Sequence, residues 1–347
     1  MSRTQTDMPL RTLGKTGIKV SALCLGAMMF GKWGNEDHDD SIKIIHRAID
    51  EGINFVDTAD VYSSGESEEI VGKALKGGKR QNVILATKVH GAMGDDPNAR
   101  GNSRRWIMQE VDNSLRRLQT DWIDLYQIHR PEEDTDIDET LGALSDLIRM
   151  GKVRAIGSST FPASRIVEGQ WVAQQRGRER FVCEQPPYSI MSRAIEADVL
   201  PTIKRYGMGA IIWSPLAGGW LSGKWKKGEK APISSRSQRR PEMFDMNIAG
   251  NRAKLEAADS LLKLASDYDL SLPTMAVAFT IRHPAVSSAI IGPRTMEQLT
   301  SQLEAAHIRL PDELLDKIDE IVPPGTNVKS TDFGWDNPDL SASRRRR

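Results

Sequence analysis

The stretch IDLYQIHRPEEDTDIDETLGALSDLIRMGKVRAIGS, residues 123–158, decides how the rest of the chain is read. It opens on a short apolar run, residues 123–129, in which Leu125, Gln127 and His129 share one parity. It continues with helical spacing over 138–150 and returns to an apolar run over 153–158. A strand, a helix and a strand in that order pair in parallel through a right-handed crossover. Outward from this unit the pattern repeats. Strand-like runs fall at 22–27, 54–58, 83–88, 181–185, 209–214 and 288–291, and helical stretches at 39–51, 67–76, 103–118, 162–175, 195–206, 251–268 and 295–306. Eight strand-plus-helix units are the number that closes a barrel, so the expected fold class is α/β, a (β/α)8 TIM barrel.

Ahead of the first unit, Arg11 to Leu13 and Ile18 to Val20 flank the turn Gly14-Lys15-Thr16-Gly17. This predicts an N-terminal β-hairpin able to plug the barrel bottom. The polar segment 225–250 breaks the strand-helix rhythm and is expected to be a long loop at the catalytic rim. Residues 1–325 are read as one barrel domain, and residues 326–347, with Phe333, Trp335 and the Arg344 to Arg347 run, as a C-terminal tail available to cover the pocket.

Composition limits the functional classes. Lys plus Arg and Asp plus Glu both number 47 in 347 residues, with no basic stripe interleaved with aromatics, so a nucleic-acid partner is not expected. Residues 1–7 lack the apolar core of a signal peptide, and no stretch approaches a membrane span, which predicts a cytoplasmic protein with a small-molecule partner. The sequence leaves homo-oligomerisation open. Cys24 and Cys183 sit in separate strand-like runs, without CxxC or matched histidine spacing, and are expected in the core. Neither HExxH nor metal-spaced cysteines occur, so no metal is expected, and a metal-dependent hydrolase on the same barrel is disfavoured.

Alternation places Phe55 with Asp57, Ala86 with Lys88, and Gln127 with His129 on inner faces, so three apolar strands end in polar groups at the C-terminal mouth where barrels build active sites. Taken singly, Asp57 reads as a helix cap, Lys88 as a strand-end charge and His129 as a core histidine. Taken together, with Tyr62 on the loop after Asp57, they form a set. An inward lysine needs a counter-ion, and Asp57 is the natural one. A cation beside the Tyr62 hydroxyl would stabilise the phenolate and ready it for proton transfer, while His129 would donate to the substrate oxygen.

The run Asn54-Phe55-Val56-Asp57-Thr58-Ala59-Asp60-Val61-Tyr62, followed by Gly65-Glu66-Ser67-Glu68, resembles the signature of the aldo-keto reductase superfamily, and the resemblance extends from about residue 11 to 321. It implies a catalytic tetrad at Asp57, Tyr62, Lys88 and His129, with NADPH/NADP+ as cofactor. No Rossmann fingerprint is present, and the G-x-x-x-x-G-K of residues 218–224 is followed by Trp225 rather than the Ser or Thr of a phosphate-binding loop. By the resemblance, Trp213 stacks on the nicotinamide and Ser159, Thr160 and Gln185 hold its amide. Ala27 and Met28 belong to the same cleft. Ser214, Pro215, Leu216, Gly218 and Lys224 lie along the pyrophosphate, with Ile291, Gly292, Arg294, Gln298 and Gln302 at the adenosine end. Arg294 points to NADPH, since a guanidinium pairs bidentately with a 2′-phosphate. The family often has Asn where Thr160 and Gln302 stand. Substrate contacts are expected from Met29, Trp33, Tyr62, His129 and Arg130, the last as an anion or hydroxyl contact, with Met28, Trp220, Trp225, Phe333 and Trp335 as further wall candidates. The segments 213–216 and 222–224 also resemble potassium-channel β subunits, which makes an NADPH-binding regulatory subunit the alternative reading.

Overall fold

The computed structural model describes residues 8–335 and 337–345. Strands β1 (Leu10–Thr12) and β2 (Lys19–Ser21) form the antiparallel hairpin. The barrel strands are β3 (Leu23–Gly26), β4 (Phe55–Asp57), β5 (Ile84–Val89), β6 (Ile123–Ile128), β7 (Val153–Ser159), β8 (Cys183–Gln185), β9 (Gly209–Ile212) and β10 (Val286–Ile291). All eight pair in parallel, and β10 closes against β3. Outside them lie α1 (His38–Asp50), α2 (Glu66–Ala74), α3 (Arg104–Leu118), α4 (Ile137–Arg149), α5 (Ala163–Arg176), α6 (Val199–Tyr206), α7 (Ser235–Arg239), α8 (Ala249–Asp267), α9 (Leu272–Arg282), α10 (Met296–Leu303), α11 (Asp312–Ile321) and α12 (Ala342–Arg345). The chain is therefore a (β/α)8 TIM barrel with an N-terminal hairpin. No helix among the described residues is long and apolar enough to cross a membrane.

Inside the barrel, Cys24, Phe55, Ala86, Leu125, Ala155, Cys183 and Ile211 form a lower apolar layer, and the hairpin residues Leu13 and Val20 pack into it from below. Both cysteines are buried and unpaired in a disulfide, as their apolar setting predicts. The hairpin turn meets the barrel without room for a side chain. Gly14 has φ +54°, and a Cβ there would lie 2.6 Å from the Gly207 carbonyl oxygen, while Lys15 N–H donates to the same oxygen at 2.9 Å.

Two features depart from the sequence pattern. The crossover from β9 to β10 is made by α9, while α8, the helix expected there, packs outside it against α9 and α11. Nearly every residue of α9 is buried, so its sequence LPTMAVAFTIR carries no amphipathic period to detect; its start is marked by Ser271, which accepts from Thr274 N–H at 3.1 Å. The predicted helix 195–206 begins instead with a 3₁₀ turn, and α6 proper starts where Asp198 accepts from Val199 N–H.

The plug makes a testable statement about stability. Leu13 is fully buried, so Leu13→Ala is expected to cost about 2–5 kcal/mol in chemical denaturation. A loss of only a few tenths would show that the hairpin is dispensable to the barrel.

Candidate active site

The strands' register carries alternate polar groups to one level at the C-terminal mouth. Asp57 is level with Gly26 and Ala86, Lys88 with Gln127, and Ser159 with Gln185. Lys88 is fully buried and Asp57 nearly so. Lys88 Nζ donates to Asp57 Oδ1, to the Thr58 carbonyl at 2.9 Å and to the Tyr62 hydroxyl oxygen at 3.4 Å. Burial alone would depress the ammonium, but the Asp57 carboxylate and the Tyr62 oxygen outweigh it, and Lys88 is held above its ordinary value and stays charged. The second carboxylate oxygen of Asp57 accepts from Gln127 Nε2 at 3.1 Å and Gln185 Nε2 at 2.9 Å, and Gln185 also donates to Gln127 Oε1 at 3.0 Å. Gln127, placed inward by its parity but given no role from sequence, thus orients the acid.

Tyr62 leaves the barrel on a tight turn. Ser63 and Ser64 follow it with φ of +50° and +57°, a left-handed conformation that costs of order 1–3 kcal/mol per residue. The turn is braced from beneath. Ser67 donates to the Ala27 carbonyl and bonds Thr58 Oγ1, and buried Glu68 accepts from Thr87 at 2.6 Å and Arg117 at 2.6 Å. Gly65, at φ +96°, leaves the space that the Arg117 side chain fills. Glu66 accepts from Lys32 N–H at 2.9 Å and so ties in the loop carrying Trp33. The Tyr62 ring lies edge-on to His129 at 5.6 Å and 5.9 Å from Trp33. Burial, with the charges of Arg130, Lys88 and His90, pushes His129 well below its ordinary value, so at neutral pH it is an uncharged N–H donor. The four predicted catalytic residues are therefore adjacent.

Most of the other predicted residues lie at the C-terminal ends of β3 and β6 to β10 and on the segments that follow them. The Arg130 guanidinium lies 5.8 Å from the Trp213 ring. Ser159 donates to the Gln185 carbonyl at 2.9 Å, and Thr160, at φ +61°, stands beside it with the two hydroxyl oxygens 3.3 Å apart. Ser214, also left-handed, accepts from Gly218 N–H at 2.8 Å and shapes the turn through Pro215, Leu216 and Ala217. Lys224 is exposed beyond it. Across the cleft, after β10, Ile291 and Gly292 lead to Arg294, whose N–H donates to Gln298 Oε1 at 2.9 Å and whose carbonyl accepts from Asn35 at 3.1 Å; Gln302 is buried on α10. Ala27 is buried and Met28 half-buried at the end of β3.

Three placements differ from the wall expected of the pocket. Trp220 and Trp225 are buried in a stack with Phe244, holding the long rim loop together. Met29 is buried against Gly34 and lies 3.9 Å from Arg236. Phe333 is half exposed, while its neighbour Gly334 packs against the edge of Trp213. The tail reaches the mouth by pairing Asn327 with Ser192 and by an ion pair of Lys254 with Asp332, and Arg344 pairs with Glu133 after β6. Arg346 and Arg347 of the predicted arginine run lie outside the described residues.

Sequence reading also missed Arg236 on α7. Arg236, Arg239, Arg240 and Arg294 converge, and burial together with these like charges lowers Arg236 to about 10. No carboxylate pairs with Arg236 among the described residues, whereas Arg240 pairs with Glu242 and Arg239 lies over the Trp33 ring at 4.8 Å. Mutually repelling guanidiniums along a cleft fit a polyanion such as a dinucleotide's phosphates. The only hint in sequence was the polarity of the 225–250 loop.

Glu184, fully buried beside Gln185 in sequence, accepts from Phe161 N–H at 3.0 Å and from Ser158 Oγ, fixing the Thr160 turn. Burial lifts it from 4.5 to about 7 against those hydrogen bonds and the Arg130 charge. Because the folded value is raised, the unfolded chain ionises first as pH rises, and this group's share of stability falls between about 4.5 and 7. Glu184→Gln is expected to flatten the stability profile in that window. Melts at pH 5 and pH 7.5 check it, and an identical gap from wild type at both would overturn it.

The model of the Aldo/keto reductase family matches residues 22–323. The "Uncharacterized oxidoreductase YrpG" of Bacillus subtilis (strain 168) is 39% identical over 93% of this chain and 98% of its own length. A "Probable voltage-gated potassium channel subunit beta" of Oryza sativa subsp. japonica is 34% identical over 91% of this chain and 97% of its own. A "Putative voltage-gated potassium channel subunit beta" of Schizosaccharomyces pombe (strain 972 / ATCC 24843) is 34% identical over 91% and 94%. The similarity spans the tetrad strands and both cleft loops, and the chain belongs to the aldo/keto reductase family.

Proposed function

We propose that the protein is an NADPH-dependent carbonyl reductase acting reversibly on an aldehyde, ketone or sugar, in the cytoplasm. The observation that carries this reading is the buried Lys88–Asp57 pair bonded to Tyr62, with neutral His129 beside the tyrosine, at the mouth of a barrel whose loops also gather Arg236, Arg239, Arg240 and Arg294. The bound nicotinamide would supply the hydride. Trp213, Ser159, Thr160 and Gln185 would hold that end of the cofactor, and Ser214, Lys224, Arg236, Arg294 and Gln298 its phosphates and adenosine.

In reduction, the Tyr62 hydroxyl gives its proton to the substrate oxygen, and the charged Lys88 stabilises the phenolate left behind. Asp57 keeps Lys88 charged through that change, and Gln127 and Gln185 keep Asp57 aimed at it. His129 donates to the substrate oxygen without competing as an acid. Oxidation runs the same steps in reverse.

A second reading, a regulatory NADPH-binding subunit, is motivated by the names of the rice and fission-yeast relatives. The two part on turnover. Titration with NADPH followed by tryptophan fluorescence, then a consumption assay over aldehydes, ketones and sugars, separates them, because a regulatory subunit binds without consuming. Tyr62→Phe is expected to lower kcat by at least about 100-fold with NADPH affinity nearly kept, and wild-type turnover would remove Tyr62 from the role of acid. Arg294→Ala is expected to weaken NADPH about 10- to 100-fold and NADH far less; equal losses would sink the 2′-phosphate assignment.

A further inference from the structure

One half-buried cation in the mouth has no ion-pair partner among the described residues. Arg130 follows His129 directly, lies beside Tyr62 and Trp213, and spends one N–H on the His129 carbonyl at 2.5 Å. The described carboxylates near it are hydrogen-bonded to other groups, and Glu184 acts on it only through space. Glu132 accepts from Asn102 N–H at 2.7 Å and Thr135 Oγ1 at 2.6 Å, Glu133 is taken by Arg344, and Glu184 is turned to Ser158 and Phe161. The loop beneath is built rather than loose. Asn102 Nδ2 donates to the Arg130 carbonyl at 3.1 Å, and Asn102 Oδ1 meets His90 Nδ1 at 3.0 Å. In a chain with as many acids as bases, a fixed guanidinium left unpaired beside the reacting oxygen is a binding element in waiting.

We propose that the substrate is an oxo acid, an aldehyde or ketone carrying a carboxylate, and that Arg130 binds that carboxylate while Tyr62 and His129 hold the carbonyl oxygen. The inference rests on the reductase reading of the site. The guanidiniums assigned to the cofactor's phosphates do not include Arg130, which is not among the charges acting on Arg236, namely Arg239, Arg294 and Arg240. A single guanidinium pairs bidentately with a carboxylate and matches its single charge. The carboxylate is a spectator. Hydride adds to the carbonyl carbon, the Tyr62 proton goes to its oxygen, and a hydroxy acid results.

The test uses 4-carboxybenzaldehyde and 4-oxobutanoate, each against its methyl ester, on the full-length protein with NADPH. Wild type is expected to prefer acid over ester by about 10- to 100-fold in kcat/KM, and Arg130→Gln to bring that ratio near one, mainly through the KM of the acids. Arg130→Lys should recover part of the preference. A parallel calorimetric titration of the cofactor-loaded protein reads carboxylate binding without turnover, and the Gln variant should lose it. Equal use of acid and ester by wild type, or equal acid binding by wild type and Arg130→Gln, overturns the proposal. NADPH binding without turnover of any compound would count against the reductase reading, and the calorimetric comparison would still decide whether Arg130 holds the carboxylate.

Discussion

The Lys88–Asp57 pair is the constraint on which the mouth of the barrel depends. A fully buried ammonium costs several kcal/mol unless it is matched, and here the match is not a lone carboxylate but one gripped by Gln127 and Gln185 from two further strands. The upper layer of the barrel is therefore a polar network joining β4, β5, β6 and β8, above a lower layer of ordinary apolar packing. Apolar replacement of the pair alone would strand the buried Gln127 and Gln185 amides, so the network stands or falls as a unit. The turn at Ser63 and Ser64 adds backbone strain beside it.

Charge is also sorted along the cleft. Lys88, paired with Asp57, lies beneath Tyr62; Arg130, without an ion-pair partner among the described residues, lies beside Trp213; Arg236, Arg239, Arg240 and Arg294 act on one another. A protein with balanced overall charge thus gathers four guanidiniums in one place, a concentration of positive charge that draws anions by field as well as by contact.

The barrel was legible because the strands are short, apolar and regularly spaced, and three of the candidate catalytic residues could be placed by parity from their strands: Asp57 from Phe55, Lys88 from Ala86, His129 from Leu125. What escaped the sequence lacked such a pattern. Helix α9 is buried on nearly all sides, so amphipathic periodicity is absent where it was sought. Arg236 lies in a polar loop held by the Trp220–Trp225–Phe244 stack, in which Trp220 and Trp225 had looked like pocket wall. Gln127 was seen to face inward, but its bond to Asp57 depends on register between strands, which no single strand reveals.

The pairing of β10 with β3 has a consequence for how the protein comes into being. Chains emerge from the ribosome N-terminus first, and here the first barrel strand waits for a partner more than 250 residues downstream. Lys88 and Asp57 are synthesised early, yet the strand that closes the wall around them, and the α10 residues lining the cleft, arrive late. Until then the nascent chain carries unpaired strand edges and a charged cluster with an incomplete enclosure, and the high sequence separation of its closing contact makes that last step slow. In the closed barrel every one of the eight strands is paired on both sides, so unpaired edges of the barrel belong to its assembly and not to its finished form.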